Sequence, residues 1–99
     1  MFVAFCKIRQ LTVKYLTFLQ RYADYASSFI HRNKDKKFLL YMAFNHVHTP
    51  NFVSKKFCNT SLRGIYGDTC SELDDAVGQI MKALVDAGIA NNTLTFFTR

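Results

Sequence analysis

Residues 38–50 read FLLYMAFNHVHTP, an apolar run followed directly by a polar loop that contains two histidines. Every position from Phe38 to Phe44 is apolar, whereas a strand with one face in water alternates apolar and polar residues. A strand of this composition needs cover on both faces, as central parallel strands have in α/β sheets. The stretch therefore predicts a central strand that ends where the histidines begin.

A helix is predicted upstream of this strand. Apolar residues recur at spacings of three and four between residues 16 and 32, which is the pattern of one buried helix face. Thr17 and Gln20 have the spacing of a capping box at the front of this helix.

The region downstream of the loop predicts a second helix with clear ends. Thr69 and Glu72 have the capping-box spacing, acidic residues crowd the predicted first turn, and Gly88 lies where a left-handed cap ends a helix. We expect Gly78, inside this helix, to pack closely on the sheet. The apolar stripe comprises Leu73, Ala76, Val77, Ile80, Met81, Leu84 and Val85.

Residues 93–98 predict a second strand, so strand, helix and strand would form one right-handed βαβ unit. The predicted fold is thus α/β, in the order helix, strand, loop, helix, strand. Two helices and two strands cannot cover both faces of residues 38–44. We therefore expect part of a parallel-sheet domain, marginally stable and prone to aggregate by itself.

Composition limits the class of protein. The 99 residues suffice for one domain, and 49% apolar with 20% charged residues exclude a disordered chain. No apolar run approaches the roughly 18–20 residues of a membrane span, and residues 2–6 are too short for the core of a signal peptide. We expect no membrane span.

The net charge of +6 raises the question of nucleic acid binding. Eleven of the 13 Lys and Arg residues lie in the first 63 positions, mostly at the borders of apolar segments, where they aid solubility. No recognised nucleic-acid-binding motif accompanies them. We do not expect a nucleic acid partner, and a small basic nucleic-acid-binding module is kept as an alternative function.

Cysteines and asparagines bear on the compartment. Cys6, Cys58 and Cys70 cannot all pair with one another, and none has a Cys-x-x-Cys spacing, so we interpret them as small, buried or half-buried side chains. Asn59 and Asn91 each begin an Asn-x-Ser/Thr triplet.

His46 and His48 are two residues apart, so in extended backbone both side chains point to the same side. They follow the end of a predicted strand, where α/β proteins bind ligands. The pair could bind zinc, but His31, Cys58 and Cys70 show no recognised spacing for the remaining ligands. A loop shaped by the histidines is the other interpretation, and spacing alone leaves both open.

The strand and loop at 37–50, followed by GIYGD at 64–68, LDDAVG at 73–78 and LTFFT at 94–98, resemble the arylsulfatase family. The predicted first helix is also similar, so the resemblance spans about residues 16–98 and leaves 1–15 unassigned. It implies that residues 1–99 form part of a sulfatase catalytic domain with an alkaline-phosphatase-like α/β fold. It further implies hydrolysis of sulfate esters, a calcium ion, a formylglycine nucleophile made from the cysteine of Cys-x-Pro-Ser-Arg, and a lysosomal or secretory location.

The same resemblance gives His48 the role of contacting the substrate sulfate and assisting departure of the alcohol, and leaves His46 structural. Other parts of the family's site have no match. Pro50 is the only proline, so none of the cysteines begins Cys-x-Pro-Ser-Arg, and Arg99 stands where a small residue precedes the family's metal-binding Asp-Asn-Gly. The N-terminal acidic pair for calcium is missing as well.

We therefore expect an arylsulfatase-like fragment that is inactive alone and holds no calcium. A non-catalytic structural or interaction protein that reuses the scaffold is the alternative. The sequence does not identify the substrate or the subfamily.

Overall fold

A computed structural model describes residues 18–45, 47–48 and 51–98 of the chain. In these residues, the α-helices are α1, Phe18–Asn33, and α2, Gly64–Asp86, and a short 3₁₀-helix covers Ala90–Asn92. The 3₁₀-helix follows α2 after a two-residue turn and Ile89.

Helix α1 matches its prediction closely. Its buried residues are Leu19, Ala23, Ala26 and Ile30, which lie on one face at spacings of four, three and four. Thr17, the predicted cap, lies outside the described residues, and Gln20 instead donates hydrogen bonds to Asp24 and to Gln79 of α2. The two alanines leave room for close packing of α1 on α2.

The two helices run in the same direction. Leu19 and Ala23 of α1 contact Ala76 of α2, and eleven residues after Leu19 the buried Ile30 packs with Ala83 and Leu84. The contacts therefore move toward the carboxyl end of both helices at once, which means that the helices are parallel. Two helices are parallel in this way when the segment after each helix runs back along the same face of the pair.

Helix α2 begins at Gly64, five residues before the predicted N-cap Thr69, so the predicted capping box is wrong. The Thr69 hydroxyl donates to the Ile65 carbonyl oxygen at 2.8 Å inside the helix, and Glu72 accepts a hydrogen bond from a distant loop. No acidic residue lies in the first turn. The apolar stripe is also narrower than predicted, because Met81 and Val85 are exposed.

The end of α2 confirms the prediction for Gly88, whose φ is +73°. The Ile89 N–H donates to the Leu84 oxygen at 3.1 Å, and the Gly88 N–H donates to the Val85 oxygen at 2.9 Å. These are the two bonds of a Schellman motif, in which a left-handed residue satisfies the last helical carbonyls.

The prediction for Gly78 is wrong. A Cβ added there would meet nothing within 4 Å, so no close packing requires a glycine. Gly67 is the crowded position, since a Cβ would lie 2.9 Å from the Arg63 Cβ and would overlap the Ser61 side chain. The loop packs against α2 at Gly67, a contact that no helical pattern predicts.

Neither predicted strand forms a β-ladder in the described residues, which corrects the βαβ prediction. Burial alternates along 38–45: Phe38 and Leu40 pack against the Ile30 cluster, whereas Leu39 and Tyr41 are 90% and 86% exposed. Along 93–98, Leu94 and Phe96 are similarly 82% and 84% exposed. Strands need backbone partners to form a ladder, and the described residues cover only one face of 38–44.

Candidate functional site

The loop that carries His48 leaves residues 38–44 at a position fixed by α1. The Phe44 ring packs edge-on against the Tyr22 ring, with centroids 5.8 Å apart, and the Asn45 amide donates to the Tyr22 hydroxyl at 3.3 Å. His48 follows three residues later and is exposed. His46, Thr49 and Pro50 lie outside the described residues, so the relative placement of the two histidines stays a prediction.

Beyond the histidine, the chain is anchored again on α2. Val53 is 2% exposed, and the Ser54 N–H donates to the Glu72 carboxylate at 3.0 Å. The Asn51 side-chain oxygen is buried without a hydrogen-bond partner among the described residues. The segment that carries His48 is thus held at both ends by packed side chains.

Asp68 anchors the far end of the same loop. Its carboxylate is buried in α2, at 2% residue exposure, and accepts the N–H of Asn59 at 2.8 Å and of Ser61 at 2.7 Å. The Thr60 hydroxyl is 3.4 Å from the same carboxylate. Hydrogen bonds to ionised acceptors are stronger than neutral ones, so this one side chain organises the turn at 59–61.

Asp68 and Glu72 are four residues apart, so both carboxylates project from one face of α2 toward the loop. Sequence reasoning missed this role, because Glu72 fits a capping box whose predicted N-cap, Thr69, leaves Asp68 outside the predicted helix. The available signal was the presence of two acidic residues four positions apart, a spacing that places both side chains on one helix face. The loop donors that complete it lie 7 to 18 positions away.

At the rim of the loop, charged groups form weaker contacts. Lys56 approaches the Asp75 carboxylate at 3.2 Å and lies 4.7 Å above the Phe57 ring. Gln79 donates to Asp75 at 2.8 Å, and Gln20 of α1 donates to Gln79. Since the lysine is well exposed, the ion pair contributes little to stability.

The described residues do not fit a metal site. They contain no group of three or more His, Cys, Asp or Glu side chains that could hold a metal ion. Calcium takes six to eight oxygen ligands, and the buried oxygens of Asp68 and Glu72 already accept backbone N–H groups. His31 is exposed at the end of α1, on a different element from His48.

Cys58 and Cys70 are half-buried, as predicted, and Cys70 is a free thiol in α2. Cys58 differs from its prediction because it is disulfide-bonded. Cys6 lies outside the described residues. Sequence spacing did not reveal the disulfide, because pairing depends on the spatial distance between residues that can be far apart in the chain.

An open groove of about 490 Å³ lies between residues 34–38 and 89–94. It joins the starts of the two predicted strands, whereas His48 follows the end of the first. The groove and the histidine are therefore separate features of the described chain.

Neither α1 nor α2 is both long and apolar enough to cross a membrane.

Comparisons with known proteins identify the family. Steryl-sulfatase of Rattus norvegicus is 45% identical over 91 residues, covering 92% of this chain and 16% of its own length. N-acetylgalactosamine-6-sulfatase of Rattus norvegicus is 44% identical over 81 residues, covering 80% of this chain and 16% of its own length. Arylsulfatase H of Homo sapiens is 48% identical over 73 residues, or 74% of this chain and 13% of its own.

The chain thus spans less than a fifth of the length of these relatives. No solved structure matches it significantly. The sequence profile named Sulfatase matches residues 6–98, nearly the whole chain and both helices with the loop between them. On this match and these identities, the chain belongs to the sulfatase family.

Proposed function

We propose that this chain provides the histidine segment of a sulfuric ester hydrolase, in which His48 donates a hydrogen bond to the substrate sulfate and a proton to the departing alcohol. Family membership supports the reaction class. The single observation that supports this role for His48 is its position. His48 is exposed on a loop whose two ends are anchored on α1 and α2.

The chemistry suits an imidazole. It changes charge near neutral pH, so it can donate a proton to an oxygen that becomes negative as the sulfur–oxygen bond breaks. Its other nitrogen can bond a neighbouring group and so fix the ring's orientation. An anchored loop reduces the entropy lost in placing the ring against the substrate.

The nucleophile is not proposed for this chain. Cys58 is disulfide-bonded, and Cys70 lies inside α2 and is followed by Ser71 and Glu72 rather than by the family's motif. We therefore propose that the nucleophile and the family's calcium belong to other segments of a complete domain. By itself, the chain should not turn over an aryl sulfate.

We also propose that residues 38–44 and 93–98 are neighbouring parallel strands of a complete α/β domain. Two observations support this: α1 and α2 run in the same direction, and both segments begin at the shared groove. The exposed side chains of Leu39 and Phe96 would then be covered by the rest of the sheet and its second helical layer.

A chimera tests the proposed function. Residues 6–98 would replace the matching segment of rat steryl-sulfatase, to which the chain is 45% identical. We expect the chimera to hydrolyse sulfate esters, and His48→Ala to lower its turnover by about 10²–10⁴-fold, the usual loss for a general acid. His31→Ala is the matched control, because His31 is also exposed but lies on α1. A folded chimera in which both variants keep full activity would refute the role of His48.

A further inference from the structure

The turn at residues 59–61 has a feature that catalysis does not use. Asn59, Thr60 and Ser61 form an Asn-x-Ser acceptor triplet for N-glycosylation. Asn59 is exposed and has a φ of +59°, in the left-handed region that asparagine tolerates better than most residues. The acceptor side chain is therefore at the surface, on a turn.

Backbone N–H groups and hydroxyls of the triplet make the hydrogen bonds of the turn, and the Ser61 hydroxyl accepts from the Arg63 N–H at 3.1 Å. The N–H groups of Asn59 and Ser61 both donate to the buried Asp68 carboxylate, and the Thr60 hydroxyl donates to the Phe57 carbonyl oxygen at 2.7 Å. Within residues 18–45, 47–48 and 51–98, the Asn59 side-chain amide is not among the groups that hold the turn together. A substituent on that amide would consequently leave the turn's hydrogen bonds in place.

The preceding residue supplies an independent observation. Cys58 is disulfide-bonded, and disulfides form and persist in oxidising compartments such as the endoplasmic reticulum lumen. N-glycosylation of this triplet takes place in the same compartment of eukaryotic cells. A disulfide and an exposed acceptor at consecutive positions therefore require the same cellular environment.

We propose that Asn59 is an N-glycosylation site. The Asn59 Nδ2 atom loses one proton to the transferring enzyme's base and bonds the anomeric carbon of a lipid-pyrophosphate-linked oligosaccharide. The bond between that carbon and the pyrophosphate oxygen breaks, and the pyrophosphate leaves with the electron pair. No oxidation or reduction accompanies the transfer. The proposal does not rest on the catalytic role of His48.

Asn91 begins a second triplet and provides an internal comparison. It is exposed in the 3₁₀-helix, and the Thr93 hydroxyl of its triplet donates to the Ile89 carbonyl oxygen. No disulfide-bonded residue adjoins it in the described chain. Its occupancy is measured alongside Asn59, so that a glycan on the protein is assigned to the correct residue.

The test uses the full chain, secreted from a glycosylating eukaryotic host. Peptide N-glycosidase treatment in ¹⁸O water converts each glycosylated asparagine into a labelled aspartate, which peptide mass spectrometry locates. We expect label at position 59 in the wild type and in Ser61→Thr. We expect a loss of one glycan's mass in Ser61→Ala, which keeps Asn59 but removes the acceptor hydroxyl.

Asn59→Asp is the second variant, since aspartate also tolerates the left-handed conformation and retains the turn. It should be secreted and lack the same glycan, which covers the case in which Ser61→Ala misfolds through loss of its bond from the Arg63 N–H. Secreted wild-type protein with unlabelled Asn59 would overturn the proposal. Retention of the natural protein in the cytosol with a reduced Cys58 would also overturn it.

Discussion

At the scale of single residues, the carboxylate of Asp68 is the group whose loss should most disturb the loop. Two backbone N–H groups donate to it, and Asp68 is only 2% exposed. Asp68→Asn keeps the shape of the side chain but replaces one acceptor oxygen with an NH₂ group. That group faces a backbone N–H, which is itself a donor, so the hydrogen bond is lost. An unsatisfied buried polar group lowers the free energy of unfolding by about 1–3 kcal/mol. Part of this loss should appear as local loosening of the turn at 59–61.

We expect Asp68→Asn to loosen the loop and so to let its backbone enter the active site of trypsin, with cleavage after the exposed Lys55 and Lys56 several-fold faster than in the unmodified chain. Asp74→Asn is the matched control, because Asp74 lies on the same helix, carries the same charge and is exposed. The measurement is the initial rate of loop cleavage under native conditions. Equal rates in the two variants would show that Asp68 does not hold the loop.

At the scale of elements, the helices were predictable to the extent that their packing is local. All four buried residues of α1 follow the spacing of one helix face, and Gly88 ends α2 as a left-handed cap. The start of α2 was not predictable, because Glu72 bonds Ser54, 18 residues away, instead of serving its own helix end. Of the candidate site, family resemblance predicted His48, while the carboxylates that anchor its loop emerge only from the fold.

Gly78, inside α2, and Gly88, just after its end, allow a paired test of backbone conformation. A Cβ meets nothing within 4 Å at either Gly78 or Gly88, so the two substitutions differ only in backbone conformation. Gly78→Ala should stabilise the helix by about 0.5–1 kcal/mol, because glycine is a poor helix former. Gly88→Ala should destabilise it by roughly 1–2 kcal/mol, because alanine resists a φ of +73°.

The measurement is the melting temperature of each variant in the complete folded protein. We expect the two glycine variants to shift it in opposite directions. Shifts of the same sign would mean that the end of α2 is not the Schellman motif described above.

At the scale of the whole molecule, the apolar side chains on the uncovered face of the segments that follow α1 and α2 determine behaviour in solution. Leu39, Tyr41, Leu94 and Phe96 are each more than four-fifths exposed. Apolar patches of this kind promote association, and the segments also lack backbone partners among the described residues. We expect the isolated 99-residue chain to self-associate.

A pair of exposed substitutions, Leu39→Ser with Phe96→Ser, should increase the fraction of monomer measured by size-exclusion chromatography with light scattering. The control is Phe38→Ser, because Phe38 packs against the Ile30 cluster and its loss should unfold the chain without improving solubility. A wild-type chain that stays monomeric at high concentration would contradict the uncovered-face interpretation. It would equally weaken the proposal that 38–44 and 93–98 belong to a larger sheet.

The central claim, that His48 assists departure of the alcohol, predicts a specific dependence on the leaving group. The measurement compares kcat of the active chimera with that of its His48→Ala variant for a series of aryl sulfates whose phenols differ in acidity. We predict a large rate loss for weakly acidic phenols that shrinks steadily toward acidic ones, because a good leaving group needs no proton. The melting temperature should stay unchanged. A rate loss independent of phenol acidity, or no loss at all with formylglycine present, would contradict the account.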